Sequence, residues 1–367
     1  MSDHFTQLTR RSPRLRLDPW TLGAVLIAGV VLAPILSIAW IAFNPTENIW
    51  PHLMATVLPR YLGTTLMLMA GVAVLTAAMG TGAAWLVSQY QFPGRAWLAQ
   101  ALLFPLAIPA YVGAYALVDL LDYAGPVQSA LRASFGWETA RDYWFPETRS
   151  LPMAILVLSF ALYPYVYLLA RAAYREQSGR AYEVARALGC GPWGLFLRIG
   201  WPLARPAIAA GVALAMMETV ADYGTVLHFG VQTLTTGVFS TWLNGGNAGG
   251  AAQIAGVILV LILMLVGLER AGRGKARFHR LGRGSQPVQP APIAGRKRWY
   301  ATLLCLIPIT GGFVLPVGVM LVHTAAAPEG WLAPGLFEAL TNTLIVGGLA
   351  ALATVGAAIF LDRKSVV

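Results

Sequence analysis

Eight long apolar runs, at about 20–43, 64–88, 97–118, 151–170, 206–228, 252–268, 300–322 and 341–361, dictate what this chain can become. About 20 apolar residues in an α-helix cross the hydrocarbon core of a bilayer. Inside that core every backbone N–H and C=O must be satisfied within the segment, which a helix achieves. Only 11% of the 367 residues are charged and mean hydropathy is +0.62, whereas soluble domains carry about 25% charged residues. The expected fold class is therefore all-α, a polytopic helical membrane protein with about eight transmembrane helices.

The remaining charges fall between the runs. Net charge is +10, yet no nucleic-acid partner is expected, because Lys and Arg gather in loops as they do in oriented membrane helices. With the N-terminus inside, only Arg60, Arg132, Arg141 and Arg149 of the 26 Lys and Arg fall outside. That bias predicts a cytoplasmic N-terminus. A signal peptide is the alternative for the first run, but its length and the lack of a small-residue cleavage site favour a retained helix. Cys190 and Cys305 show neither metal-site spacing nor a plausible disulfide.

One inner patch interrupts the apolar pattern: Glu183–Pro202, EVARALGCGPWGLFLRIGWP. Gly189 follows Glu183 by six residues, nine residues separate Gly189 from Ile199, and Pro202 comes just before an apolar run. Gly189 can end a short helix in the left-handed conformation. Pro202 can start the next span without losing a helix bond. Ala185 permits close packing, and Leu188, Phe196 and Ile199 can anchor a partner groove. An ordinary amphipathic loop with a glycine turn is the plainer reading.

The spacing resembles the EAA loop of bacterial ABC importer permeases: E-A-A, three residues, G, nine residues, I-x-L-P. Val184 stands where the second Ala is usual, and Trp201 where Leu is usual. The resemblance implies an ABC importer type I permease fold in a bacterial inner membrane. It implies a helix-turn-helix coupling loop carrying Glu183, Ala185, Gly189, Ile199 and Pro202, docked on a cytoplasmic homodimeric ABC ATPase. A periplasmic substrate-binding protein would be the other partner. The chain would be a transport subunit rather than an enzyme, with no cofactor of its own. Consistently, the sequence has no GxxxxGKS, nucleophile elbow or HExxH, so ATP would be bound by another chain.

An internal repeat is also visible. Thr64–Ala78 resembles Thr341–Ala358, pairing Thr65 with Thr343, Leu66 with Leu344 and Thr76 with Thr354, and VLAPILSIAW around Pro34 resembles VLPVGVMLV around Pro316. The expected organisation is a cytoplasmic tail at 1–19, a complete permease unit at 20–269 with its core at about 61–268, a basic linker at 270–298, and the start of a second, incomplete unit at 299–367. Truncation of a two-unit protein is the simplest expectation, and a functional short form is the alternative.

Two runs carry candidate pathway residues. In LLFPLAIPAYVGAYALVDLLDYAGPVQ, Pro105 and Pro109 should kink the helix, and Tyr111, Asp119 and Asp122 follow. PLAIPAYV and LLDYAGPVQ resemble iron(III)-type permeases. The plainer reading is a kinked helix with an interfacial belt of polar and aromatic residues. In ALAMMETVADYGTVLHFGVQTLTTGVF, Glu218 and Asp222 are four apart and should share a helix face, beside Tyr223. Carboxylates within a span usually face a cavity or a partner, and ADYGT and QTLTTG again resemble the iron type. That subfamily implies ferric iron as cargo, for which carboxylate and phenolate oxygens are suitable ligands. The alternative is that Glu218 and Asp222 only shape the bundle. No metal site is defined, and His228 reads as interfacial. Thiamine, sulfate, phosphate or a polyamine are the competing cargoes, and an ion-coupled secondary transporter is the competing class.

Overall fold

The computed structural model describes residues 19–273, 289–327, 330 and 333–362. The N-terminal basic tail, linker positions 274–288 and Arg363 with Lys364 lie outside the described residues. In chain order the helices are α1 (Pro19–Phe43), α2 (Trp50–Ala55), α3 (Leu58–Gln89), α4 (Arg95–Ala101), α5 (Ala110–Leu121), α6 (Pro126–Phe135), α7 (Leu151–Glu176), α8 (Gly179–Ala187) and α9 (Pro192–Leu195). Then come α10 (Trp201–Ala221), α11 (Gly224–His228), α12 (Leu234–Phe239), α13 (Ala248–Arg273), α14 (Lys297–Ile309), α15 (Leu315–Ala326) and α16 (Leu336–Asp362). Two short strands, β1 (Tyr90–Gln91) and β2 (Ala291–Pro292), pair in parallel. The Gln91 carbonyl also accepts the Ile293 amide at 3.3 Å, which ties this part of the basic linker to the end of α3.

Among the described residues, seven helical stretches are long and apolar enough to span a membrane, and one bent pair brings the number to eight. The bend, 92° between Arg95–Ala107 and Ala110–Phe135, falls at the two prolines the sequence singled out. Pro105 and Pro109 have no amide hydrogen to donate, and Ile108, before Pro109, is extended, as a residue preceding proline prefers.

The fifth span is displaced from its sequence expectation. It runs Pro192–Ala221 rather than 206–228, so Pro202 lies inside it and does not begin it. The Trp201 amide reaches the Phe196 carbonyl, five residues back. This wider π turn accommodates Pro202, whose ring would crowd the carbonyl four residues earlier. The same device precedes Pro316, where the Leu315 amide bonds Thr310.

The chain forms two compact units, described separately. In the larger, Ile41–Ala327, α7 runs between α3 and α10. A methyl group on Gly80 of α3 would stand 2.7 Å from Val166 Cβ of α7, and one on Gly211 of α10 would stand 2.6 Å from Val166 Cα. Lipid gives helices little hydrophobic reason to associate, so close approach at small residues carries the packing. Tyr163, Tyr167 and Tyr174 of α7 are fully buried, and the Tyr167 hydroxyl donates to the Ala99 carbonyl at 2.9 Å. The smaller unit comprises α1 up to Trp40 together with α16. Within it the rings of Trp20 and Phe360 lie 4.5 Å apart.

Candidate coupling loop and distal cavity

The segment after α7 folds as the helix-turn-helix that its spacing anticipates. Gly189 adopts φ +83°. Its amide donates to the Arg186 carbonyl and that of Cys190 to Ala185, both at 2.9 Å. These two bonds are the Schellman closure of a helix whose last residue is Ala187. Val184, Leu188, Trp193 and Leu197 are exposed, Leu188 by 79% and Trp193 by 75%. Glu183 is exposed as well. Ala185 is buried against the bundle, where its small side chain permits close packing.

Two of the three anchors read from the sequence turn inward. Phe196 and Ile199 pack on the core, while Leu188 remains available. Trp193 replaces them on the outer face. It had no separate signal in the sequence, because an aromatic residue in a membrane protein is usually an interface anchor.

What seats the hairpin is an aromatic cluster around Trp85 of α3, which sequence reasoning missed. Its ring lies 5.3 Å from Tyr174, 5.9 Å from Tyr182 and 5.2 Å from Phe196. It also fills the space over Gly200 that a side chain there would need. Tyr182 donates its hydroxyl to Gln177 Oε1, and Gln177 Nε2 donates to the Gly200 carbonyl at 3.5 Å. Burial raises the Tyr182 hydroxyl pKa, and the nearby Arg186 charge only partly opposes this.

At the other end of α7 a cavity of about 890 Å³ collects residues from four segments. Asp119 of α5 pairs with His323 of α15 at 2.8 Å. Asp122 Oδ2 stands 4.0 Å from Arg149 Nη2, and Arg149 Nη1 donates to the His228 carbonyl at 3.5 Å. Tyr115 lies between the two imidazoles, 6.1 Å from His228 and 6.2 Å from His323. Both signs of charge are therefore present and paired. His323 was absent from the sequence reading and Arg149 entered it only as an outer-side charge, since both sit more than 25 residues from the carboxylates they meet. Beyond the cavity, backbone amides of Thr139 and Glu138 hold the Asp142 carboxyl below its ordinary range.

The expected pair on one helix face does not form. α10 ends at Ala221, and Asp222 is extended. Its carboxylate accepts the Val226 amide at 3.0 Å and the Thr225 hydroxyl at 2.9 Å, organising the start of α11. A local capping bond has won over helix continuation, as short acidic side chains favour. Glu218 is exposed on α10. Tyr223 stacks on Phe239 at 3.9 Å, and Tyr111 packs over Gly224. QTLTTG is a capping box for α12: the Thr233 amide donates to Thr236 Oγ1 at 2.8 Å, and the Thr236 amide to Thr233 Oγ1 at 3.4 Å. Among the described residues no cluster of three His, Cys, Asp or Glu is arranged to hold a metal ion.

The larger unit thus joins membrane-length spans to a glycine-turned helical hairpin. The chain belongs to the family of binding-protein-dependent transport system inner membrane components, whose profile matches residues 77–269. It is 26% identical over 302 residues to the Fe(3+)-transport system permease protein FbpB 2 of Haemophilus influenzae, covering 80% of this chain and 54% of that protein. The chain thus spans about half the length of that relative. It is 29% identical to the molybdenum transport system permease protein ModB of Escherichia coli (52% of this chain, 86% of the relative) and 25% identical to the sulfate transport system permease protein CysT of the same species (53% and 68%). Among solved structures, a bacterial alginate ABC transporter in complex with an alginate pentasaccharide-bound periplasmic protein superposes with TM-score 0.56 at 17% identity, over 69% of this chain and 93% of that chain. That similarity concerns the fold alone.

Proposed function

We propose that this chain is the membrane-spanning subunit of an ATP-driven importer, and that the α8–α9 hairpin receives the motion of a separate cytoplasmic ATPase. The observation carrying the reading is the hairpin itself. A fixed glycine turn presents Val184, Leu188, Trp193 and Leu197 away from the bundle while Ala185 and Tyr182 seat it. Exposed apolar anchors on a short helix are what a partner groove grips. Glu183 and Gly189 belong to this contact directly, and Ile199 and Pro202 act by shaping the entry to α10.

Cargo arrives from a periplasmic binding protein on the distal side, with the N-terminus cytoplasmic, and ferric iron is the cargo we assign. The support is the resemblance in the third and fifth spans and the iron-transport relative. Tyr111, Glu218 and Tyr223 remain route candidates, and Asp119 reaches the cavity. An oxyanion is the second reading, favoured by the molybdenum and sulfate relatives and by Arg149, His228 and His323 around the distal cavity.

Co-expression of the chain with a candidate ABC ATPase subunit from the same genome tests the coupling role. Leu188→Asp and Trp193→Asp should abolish co-purification while leaving the bundle folded. Retained co-purification in both variants would refute the role. Uptake of radiolabelled iron, molybdate and sulfate in cells expressing the assembly decides the cargo.

A further inference from the structure

A second polar cavity, about 520 Å³, lies at the hairpin end of the bundle, away from the exposed hairpin face and from the distal cavity. Arg95 of α4 and Arg171 and Arg175 of α7 line it, with Ser88 and Tyr174. Arg171 and Arg175 are one helical turn apart and share a face. Both are near enough to repel the Arg95 charge. Among the described residues no carboxylate forms an ion pair with any of the three, Glu176 beside Arg175 included.

Part of their donor capacity is used. Arg95 Nε donates to the Val87 carbonyl at 2.7 Å and Arg171 Nη1 to the Ala99 carbonyl at 3.0 Å. The rest is open. Ser88 and Tyr174 are buried, Tyr174 completely, and neither hydroxyl has a hydrogen-bond partner among the described residues. A buried hydroxyl without a partner is costly, and three unneutralised guanidiniums add mutual repulsion. An anion with several acceptor oxygens relieves both, since guanidinium forks match phosphate geometry.

We propose that this cavity binds a phosphate-bearing anion between Arg95, Arg171 and Arg175, with the Ser88 and Tyr174 hydroxyls as further donors. The same chemistry is offered by a phospholipid headgroup of the adjoining leaflet and by a dissolved phosphate compound. The site does not depend on the transport reading.

The test uses the full chain in two arms. In detergent, thermal unfolding is followed against inorganic phosphate, with chloride at matched ionic strength as control. In nanodiscs of phosphatidylcholine with and without phosphatidylglycerol, retained lipid is counted by mass spectrometry. Saturable stabilisation by phosphate identifies a soluble anion, and selective retention of phosphatidylglycerol identifies a headgroup. In whichever arm responds, Arg175→Gln should weaken binding about tenfold or more, and Arg175→Lys should recover part of it. Arg175 makes no hydrogen bond to a described residue and its loss relieves repulsion of Arg95, so the ligand-free melting temperature should not fall. If that variant misfolds, Ser88→Ala replaces it, with binding about threefold or more weaker. No saturation in either arm, equal effects of chloride and phosphate, or wild-type binding in the folded variant would overturn the proposal.

Discussion

Replacing Gly189 by Ala isolates the turn that defines the hairpin. At φ +83° a Cβ crowds the backbone, and a left-handed residue other than glycine costs about 1–2 kcal/mol. No neighbouring atom approaches the position where the Cβ would sit, so the whole effect is conformational. The strained turn relaxes by releasing the bonds from Gly189 to Arg186 and from Cys190 to Ala185. An opening made easier by that amount raises amide exchange at 188–190 by about 5–30-fold. Exchange around Tyr182 should stay unchanged, because its anchorage to Trp85 and Gln177 is independent of the turn. Gly189→Asn should exchange close to wild type, since Asn tolerates this region. Hydrogen–deuterium exchange with mass spectrometry reads all three proteins. Equal protection in the wild type and in Gly189→Ala, or equal loss in the Ala and Asn variants, would refute the reasoning. If the hairpin docks on an ATPase, its affinity in Gly189→Ala should fall by the factor by which the closed-turn population falls.

Gly211→Ala drives a methyl group to 2.6 Å from the Val166 Cα, a backbone atom that cannot rotate away. It should destabilise the bundle by about 1–3 kcal/mol in detergent melts, and Val166→Ala should not rescue it. Asp222→Ala removes the acceptor of the Val226 amide and should cost about 0.5–2 kcal/mol. Asp222→Asn should recover much of that, whereas a role needing the charge would leave transport lost in both variants. His323→Gln should shift the melting free energy by less than about 1 kcal/mol, because its pair with Asp119 is half exposed. Any effect of that variant on uptake then reports on the distal cavity rather than on folding.

The spans were legible because bilayer thickness is written directly into run length. Breaks were legible where a residue forbids helix: Pro105 and Pro109 mark the bend, and Gly189 marks the turn. Pro202 misled, because a helix can absorb a proline by widening one turn, and nothing in the sequence distinguishes that from a start. Glu218 and Asp222 misled for a similar reason. Spacing of four implies a shared face only while the helix continues, and the competing bond to the Val226 amide is invisible without coordinates. The three-arginine cavity drew no attention, since Arg95, Arg171 and Arg175 were indistinguishable from the inner-side charges that set orientation. The Trp85 cluster depends on which apolar residues meet, which composition leaves open.

Val166 sits in a slot cut from both sides by Gly80 and Gly211. One turn along, Val166 would meet Thr76 or Ala84 of α3 and Ala207 or Ala215 of α10, and none leaves the space a glycine leaves. The three helices are therefore keyed to a single axial register and resist sliding past one another. A load on the hairpin, carried through Trp85 and Gln177, would therefore meet three helices that resist mutual shear and move together.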